Sequence, residues 1–138
     1  MKKPVLDHIG IAVRSIEDAS VYRALGLDVD HVETVDSQGV KTAFLSVGDS
    51  NLELLEPTSD DSPVGKFIAR RGEGIHHICL RVDDIDAHLE RLKGEGFRLI
   101  NENPVPGAHG CRVAFLHPAA GNGVLIELSE KIEGGGKS

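Results

Sequence analysis

The chain has 138 residues and a formal net charge of −7, with 40% hydrophobic and 27% charged residues. This length suits one domain or two small fused modules, and the apolar content supports a core, which excludes a disordered chain. The sequence shows no basic face of the kind that binds nucleic acid. No apolar run reaches the roughly 20 residues that a membrane helix needs. The acidic charge balance fits a protein with a small-molecule ligand. Because the first residues lack the apolar stretch of a secretory signal, we expect a cytoplasmic protein.

The first half predicts elements in the order β-α-β-β-β. Alternating apolar residues over 5–13 indicate a strand. Ser15, followed three residues later by Asp18, is typical of a helix start, so we expect a helix over about 15–25. Three further strands are predicted, at 28–35, 40–47 and 51–56.

A polar, turn-rich stretch and a short helix at about 63–71 form the expected linker over residues 58–73. The second half then repeats the order of the first. Its predicted elements are a strand at 75–82, a helix at 84–95, strands at 97–101, 111–117 and 123–129, and a loop at 102–110. The tail, 131–138, is expected to fray.

Each predicted module has one helix for a four-stranded sheet, which leaves one sheet face uncovered. Two modules must therefore pair to hide or shape that face. We expect a single α+β domain, with module one at about 5–57 and module two at about 74–130. Side by side, the modules predict a curved, partly open mixed sheet whose concave face forms a cleft.

The two halves also repeat chemistry-bearing residues. Residues 6–13 read Leu-Asp-His-Ile-Gly-Ile-Ala-Val, and residues 75–82 read Ile-His-His-Ile-Cys-Leu-Arg-Val. Each half later contains Ala-Phe-Leu and closes on an apolar strand with one glutamate, Glu53 or Glu127. Each half thus contributes one histidine early and one glutamate late.

Strand geometry places these four residues on the sheet face that is not covered by the helix. Because side chains alternate along a strand, His8 and His77 lie opposite the large apolar residues, beside small residues that leave room for a ligand. Glu53 and Glu127 each lie between two apolar neighbours and face the same way. A buried ionised carboxylate is costly unless it is paired or metal-bound. The pattern therefore predicts a divalent-metal site in the cleft, formed by His8, Glu53, His77 and Glu127.

Simpler interpretations exist for each position taken alone. A single strand histidine is more often structural than a ligand, and a single strand glutamate usually faces solvent. His76 competes with His77, but its register matches Asp7 and predicts the opposite face. Two imidazoles and two carboxylates suit zinc, nickel, cobalt or manganese and suit magnesium less well, so the identity of one divalent ion per chain stays open.

Other candidate residues carry less information. Lys66, Arg70 and Arg71 form a local basic cluster, which is either a solvated helix face or a binding site for an anionic group. His109 and Gly110 lie in a glycine-flanked loop that closes over a ligand or simply faces solvent. The two cysteines lack zinc-type spacing and are expected to be reduced.

Seven segments share their motifs with a known group of proteins. They are LDHIGIAV at 6–13, QGV at 38–40, LELLEP at 52–57, GIHHIC at 74–79, GAHG at 107–110, FLHP at 115–118 and GVLIEL at 123–128. Together they resemble the vicinal oxygen chelate superfamily, which includes glyoxalases, bleomycin resistance proteins and dioxygenases. Within it, the similarity is greatest to the methylmalonyl-CoA epimerases.

The resemblance implies a metal-dependent epimerase acting on an acyl-CoA thioester, between propionyl-CoA carboxylation and a cobalamin-dependent mutase. It implies abstraction of the α-proton and an enolate stabilised by the metal. It assigns His8, Glu53, His77 and Glu127 as ligands, with Glu127 also a catalytic acid/base. Members of the group are commonly dimers, so a homodimer is expected, with neither nucleic-acid nor membrane partners.

Two positions depart from the group's pattern. Some epimerases have a glutamate assigned as a second base where this chain has Thr42, and some have glutamine where it has Glu53. Epimerisation needs a proton carrier on each face of the α-carbon. We therefore hypothesise that Glu53 is the second catalytic carboxylate.

Three other functions on the same fold compete with the epimerase interpretation. Glyoxalase I uses the same type of four-ligand site on a glutathione adduct. An extradiol dioxygenase is less compatible, because it uses two histidines and one carboxylate. A non-enzymatic rival is a drug-sequestering protein, a class that generally lacks the ligands.

Overall fold

The computed structural model describes residues 2–132, so the expected tail lies outside the described residues from position 133 onward. The chain divides into two compact units. The first half, as the term is used below, is residues 8–76, and the second half is residues 2–7 with 77–132. Within the described residues, none of the helices has the length and apolar character needed to cross a bilayer.

The first half contains four strands and two helices. Its elements are β1 (Val5–Ala12, whose first three residues fall in the second half), α1 (Val21–Ala24), β2 (His31–Val35), β3 (Val40–Val47), β4 (Ser50–Pro57) and α2 (Pro63–Arg71). The strand order is β2-β3-β4-β1, in which β1 runs parallel to β4 and the other pairs are antiparallel.

Apolar residues cover both faces of this sheet at different places. On one face Val13, Leu54 and their neighbours pack under the segment that contains α1. On the other face Ala12 and Leu55 of the sheet pack against Val64 of α2. The α2 helix begins at a Ser62 cap, whose hydroxyl oxygen accepts a hydrogen bond from the Gly65 amide at 3.1 Å.

The second half repeats this arrangement with a longer first helix. Its elements are β5 (Gly74–Arg81, whose first three residues fall in the first half), α3 (Ile85–Gly94), β6 (Val105–Pro106), β7 (Cys111–Leu116) and β8 (Ile126–Lys131). The strand order is β5-β8-β7-β6, and β5 runs parallel to β8. Val82, Ile85, Leu89 and Leu128 form the core between α3 and the sheet.

Arg112 connects three elements of this half. Its guanidinium donates to both Asp86 carboxylate oxygens, at 3.0 and 2.8 Å, and to Glu130 at 3.1 Å. The hydrogen bond to Asp86 raises the pKa of Arg112 above its ordinary value. This fork ties the first turn of α3 to β7 and β8.

The α+β class, the mixed sheet structure and the repeated β-α-β-β-β order are confirmed. The short helix predicted at 63–71 is also found, with the expected bounds. Two local predictions are wrong, however, and both failures have a physical cause.

The helix expected over 15–25 shrinks to Val21–Ala24. The Ser15 hydroxyl does accept a bond from the Asp18 amide at 3.4 Å, but the Ser20 amide then donates to the Asp18 carbonyl, which closes a tight turn. The Ile16 amide donates to Glu56 on β4 at 2.8 Å, and the Ile16 side chain packs on the core. Tertiary contacts therefore override the local helix signal.

The strand expected at 97–101 is reduced to a single bridge between Leu99 and Leu116. The Asn101 side-chain oxygen accepts the bond from the Phe115 amide at 2.8 Å, in place of a backbone carbonyl. The amides of Ile100 and Asn101 both donate to the Phe115 carbonyl, so a regular ladder does not form. The following loop instead contributes the short strand β6.

Replacing Leu89 by alanine should lower the free energy of unfolding by about 2–5 kcal/mol, because the side chain is 1% exposed and leaves a cavity. Urea unfolding followed by circular dichroism measures this change. Leu25→Ala is the matched control, since Leu25 is 70% exposed, and it should cost less than about 1 kcal/mol. Equal losses in the two variants would contradict the assignment of the α3 core.

Candidate functional site

A histidine and a glutamate form a close pair in the first half. Gly10 on β1 is in register with Glu53 on β4, and His8 lies two residues earlier on the same face of β1. His8 Nδ1 is 3.0 Å from Glu53 Oε2, and the two side chains are only 8% and 15% exposed. Side chains alternate along β4, so the Glu53 side chain lies on the face opposite the core in which Leu52 and Leu54 pack.

The second half contains the equivalent pair. Cys79 on β5 is in register with Glu127 on β8, and His77 precedes Cys79 by two residues. His77 Nε2 is 3.1 Å from Glu127 Oε1, with side chains 7% and 12% exposed. The core side chains on the opposite face, Ile126 and Leu128, again flank the glutamate.

Both pairs lie at hydrogen-bonding distance in surroundings that exclude most water. A buried carboxylate needs such a partner or a cation, because its loss of hydration is otherwise uncompensated. His8, His77 and Glu127 each offer a ligand atom of a kind that binds divalent metals. The structure thus contains candidate metal ligands, and its donor chemistry fits such an ion.

His76 adopts a different environment from its neighbour. Its ring lies edge-on to Phe67 of α2, with the centroids 5.0 Å apart. His76 thus contacts α2, whereas His77 contacts Glu127 on β8.

The other predicted residues lie on separate elements. Lys66, Arg70 and Arg71 are all exposed on α2, and the Arg71 guanidinium lies 5.8 Å from the centroid of the Phe67 ring. His109 lies in a short 3-10 turn just before β7 and has a positive φ of 58°, which non-glycine residues rarely adopt. Gly110 follows it with a φ of 71°.

The position of His109 separates it from the His77–Glu127 pair. Phe115 is the β7 residue in register with Glu127, and Cys111, at the start of β7, lies four residues before it. At about 3.3 Å per residue, this places the turn more than about 13 Å along the strand from the pair.

Two aromatic residues next to the glutamates were not among the predicted site residues. Phe44 is the β3 partner of Glu53, and Phe115 is the β7 partner of Glu127. Phe115 also lies edge-on to the His77 ring, with the centroids 6.1 Å apart. The repeated Ala-Phe-Leu motif is the sequence signal that marks both residues.

Comparison with known proteins identifies the family. The model of the glyoxalase/bleomycin resistance protein/dioxygenase superfamily matches residues 7–115. A mitochondrial methylmalonyl-CoA epimerase from Dictyostelium discoideum is 41% identical over 129 residues, which are 91% of this chain and 78% of the relative. The chain belongs to the methylmalonyl-CoA epimerase family of this superfamily. The family expected from the motifs is therefore confirmed.

Further members of the family support this placement. An ethylmalonyl-CoA/methylmalonyl-CoA epimerase from Cereibacter sphaeroides is 40% identical, with 91% of this chain and 96% of the relative covered. A solved methylmalonyl-CoA epimerase in complex with methylmalonyl-CoA and NH4+ has a TM-score of 0.86 and 40% identity. That comparison covers 94% of this chain and 96% of the other.

Proposed function

We infer that the chain interconverts (R)- and (S)-methylmalonyl-CoA. The observation that carries this inference is the pair of nearly buried His–Glu contacts, one in each half, at positions related by the sequence repeat. They occur in a chain similar over 94% of its length to an epimerase that was solved with methylmalonyl-CoA. An acyl-CoA thioester is accordingly the substrate class.

We propose that His8, Glu53, His77 and Glu127 together hold one divalent cation. Two imidazoles and two carboxyl groups form a donor set that suits cobalt, nickel, zinc and manganese and suits magnesium less well, and these five metals are the candidates. When bound, such a cation would stabilise the negative charge that develops on an enolate oxygen.

The two glutamates are proposed to carry the proton on opposite faces of the α-carbon. A Glu127 oxygen takes the α-proton from one epimer, and the electron pair of the broken C–H bond moves into the thioester as an enolate. Glu53, which is protonated when the step begins, then donates its proton to the opposite face. The new C–H bond gives the other epimer, and the step ends with Glu53 as a carboxylate and Glu127 as the protonated acid. The reverse direction exchanges the two roles, so no co-reactant is consumed.

Thr42 supports this assignment of Glu53. It is 5% exposed on β3, in register with Leu55, and its hydroxyl does not ionise in the range where a carboxylate exchanges protons. Since the resembled epimerases with a glutamate at this position use it as a base, the present chain needs another carboxylate.

Remote groups of the CoA moiety are proposed to meet the basic and loop residues. Lys66, Arg70 and Arg71 offer positive charge to phosphates, and the turn with His109 and Gly110 offers backbone donors in an unusual conformation. The charges on α2 are exposed, so their contribution to affinity should decrease with salt.

We also propose a cytoplasmic homodimer. The edge strand β2 presents the partly exposed Val32 beside an open ladder, a feature that proteins often cover by association. Light scattering coupled to gel filtration should give twice the chain mass of 14.8 kDa. A monomer at micromolar concentration would contradict the dimer.

Removal of metal provides a test of the proposed ligands. EDTA treatment should abolish epimerisation, and added Co²⁺ should restore it. His8→Ala and His77→Ala should each weaken metal affinity at least about 100-fold, as judged by metal content after dialysis.

His117→Ala is the control for the metal experiment, because its ring accepts a bond from the Ala119 amide at 3.0 Å within a turn. It should retain the wild-type metal content. Stoichiometric metal in both the His8 and His77 variants would contradict the four-ligand site.

Exchange of the α-proton in D₂O tests the two-carboxylate mechanism. Glu53→Gln and Glu127→Gln should each abolish interconversion, because one face loses its proton carrier. Each variant should still exchange the α-proton of one epimer, and the two variants should favour opposite epimers. NMR of the separate epimers measures this exchange.

Metal content controls for loss of a ligand in these variants, and Glu53→Gln should keep most of its metal because the amide oxygen remains a ligand. Near-normal turnover in Glu53→Gln would eliminate its catalytic role. Conversion of methylglyoxal and glutathione, with no exchange on methylmalonyl-CoA, would instead indicate a glyoxalase.

A further inference from the structure

Phe115 is held through both its side chain and its backbone. Its ring lies edge-on to the His77 ring, with the centroids 6.1 Å apart. Its amide donates to the Asn101 side-chain oxygen at 2.8 Å, and its carbonyl accepts from the Ile100 amide at 2.8 Å. The position of this ring beside the His77–Glu127 pair is therefore fixed from two directions.

The backbone bonds of Phe115 determine how it faces Glu127. Its amide and its carbonyl both bond to residues 100–101, so neither is directed at β8. The cross-strand pair of Phe115 and Glu127 is therefore of the non-hydrogen-bonded kind. In such pairs the Cα atoms are about 4.5 Å apart, compared with about 5.5 Å in the hydrogen-bonded kind, and the side chains lie closer together.

The rings of Phe115 and His77 meet over β8. This strand lies between β5 and β7 in the sheet, and neighbouring strands are about 4.8 Å apart. The two side chains thus begin on strands about 10 Å apart, yet their ring centroids are separated by only 6.1 Å. Both side chains therefore lean over β8, on the face that carries Glu127.

We propose that Phe115 is a positioning residue and that Asn101 holds it in place. The Phe115 ring fixes the His77 imidazole in the orientation that puts Nε2 3.1 Å from Glu127 Oε1. Phe115 acts on the proton transfer through this pair and takes no proton itself. Its effect on turnover rests on the proposed function, whereas the orientation of His77 is a property of the free protein.

The imidazole needs such a support because its second side-chain torsion has only a broad preference. Rotation about this torsion carries Nε2 away from Glu127. Edge-to-face aromatic contacts are favourable at centroid distances of about 4.5–7 Å, and one contact changes an equilibrium by about two- to tenfold. The ring of Phe115 therefore reduces the population of His77 rings that are turned away from Glu127 by a factor of this size.

Nuclear magnetic resonance of the ¹⁵N-labelled full chain tests the orientation of His77 without metal or substrate. The experiment measures how fast the His77 Nε2 proton exchanges with water at constant pH after EDTA treatment. Phe115→Leu keeps the apolar bulk but removes the aromatic edge, so this exchange should become about two- to tenfold faster. Phe115→Tyr keeps the ring and should restore an exchange rate within about twofold of wild type.

Asn101 provides a second, independent pair of variants. Asn101→Ala removes the acceptor of the Phe115 amide, and it should accelerate the exchange of the His77 proton in the same direction as Phe115→Leu. Asn101→Asp retains a side-chain oxygen acceptor and should restore the wild-type rate. Should Phe115→Leu fail to fold, as judged by circular dichroism, the comparison of the two Asn101 variants decides the question.

Two controls separate positioning from a loss of stability. Phe97→Leu is the same substitution at a phenylalanine that is 44% exposed, and it should change neither the exchange rate nor turnover. The backbone amide of Leu128, which is 5% exposed, reports general opening of the second half. Equal acceleration of the Leu128 amide and the His77 proton in Phe115→Leu would show a structural role only and overturn the proposal.

Turnover measures the consequence for the reaction. Phe115→Leu should lower kcat for methylmalonyl-CoA about two- to tenfold and change KM less than about twofold, because it alters the orientation of the pair and not the binding of the substrate. Unchanged proton exchange in folded Phe115→Leu and Asn101→Ala would overturn the positioning roles and leave the epimerase function intact. Accelerated exchange, in a wild-type background that does not epimerise methylmalonyl-CoA, would support the orientation of His77 and overturn the proposed function.

Discussion

The contact between a buried carboxylate and an imidazole is the interaction on which the chemistry proposed for this protein depends. It occurs twice, at 3.0 Å between His8 and Glu53 and at 3.1 Å between His77 and Glu127. Removing a carboxylate from water costs free energy unless a partner or a cation replaces the lost hydration. The fold meets this requirement by aligning each histidine strand in parallel with its glutamate strand.

The parallel pairing has a further consequence for the core. Because side chains alternate, the residues that flank each glutamate must face the helix-covered side of the sheet. Leu54 and Leu128 do so, and both are at most 5% exposed. The alternation of side chains along these strands therefore determines both the packing of the core and the orientation of the carboxylates. A shift of register by one residue would place the glutamates in the core and expose the leucines.

Similarity to known epimerases and the geometry of the two pairs support the same function by different routes. The comparisons cover nearly the whole chain and identify the family. The geometry adds what is particular to this chain, namely a glutamate at position 53, a threonine at position 42, and unequal neighbours for the two glutamates. The glutamate and the threonine bear on the proposed path of the proton.

Local pattern alone determined the repeat, the strand alternation and the four chemistry-bearing positions, because the period of a strand decides which side chains share a face. It also determined the bounds of α2, where Ser62 and Pro63 are a strong start signal. Tertiary structure decided the rest. Ile16 packs into the core and its amide bonds to Glu56, which leaves α1 shorter than expected. The Asn101 side chain takes the place of a backbone acceptor for the Phe115 amide. The register of neighbouring strands places Phe44 and Phe115 beside the glutamates. Ile16 and Glu56 are 40 residues apart, so no local pattern could specify their contact. The Ala-Phe-Leu repeat marks the two phenylalanines, but only the register of the strands shows that they lie beside the glutamates.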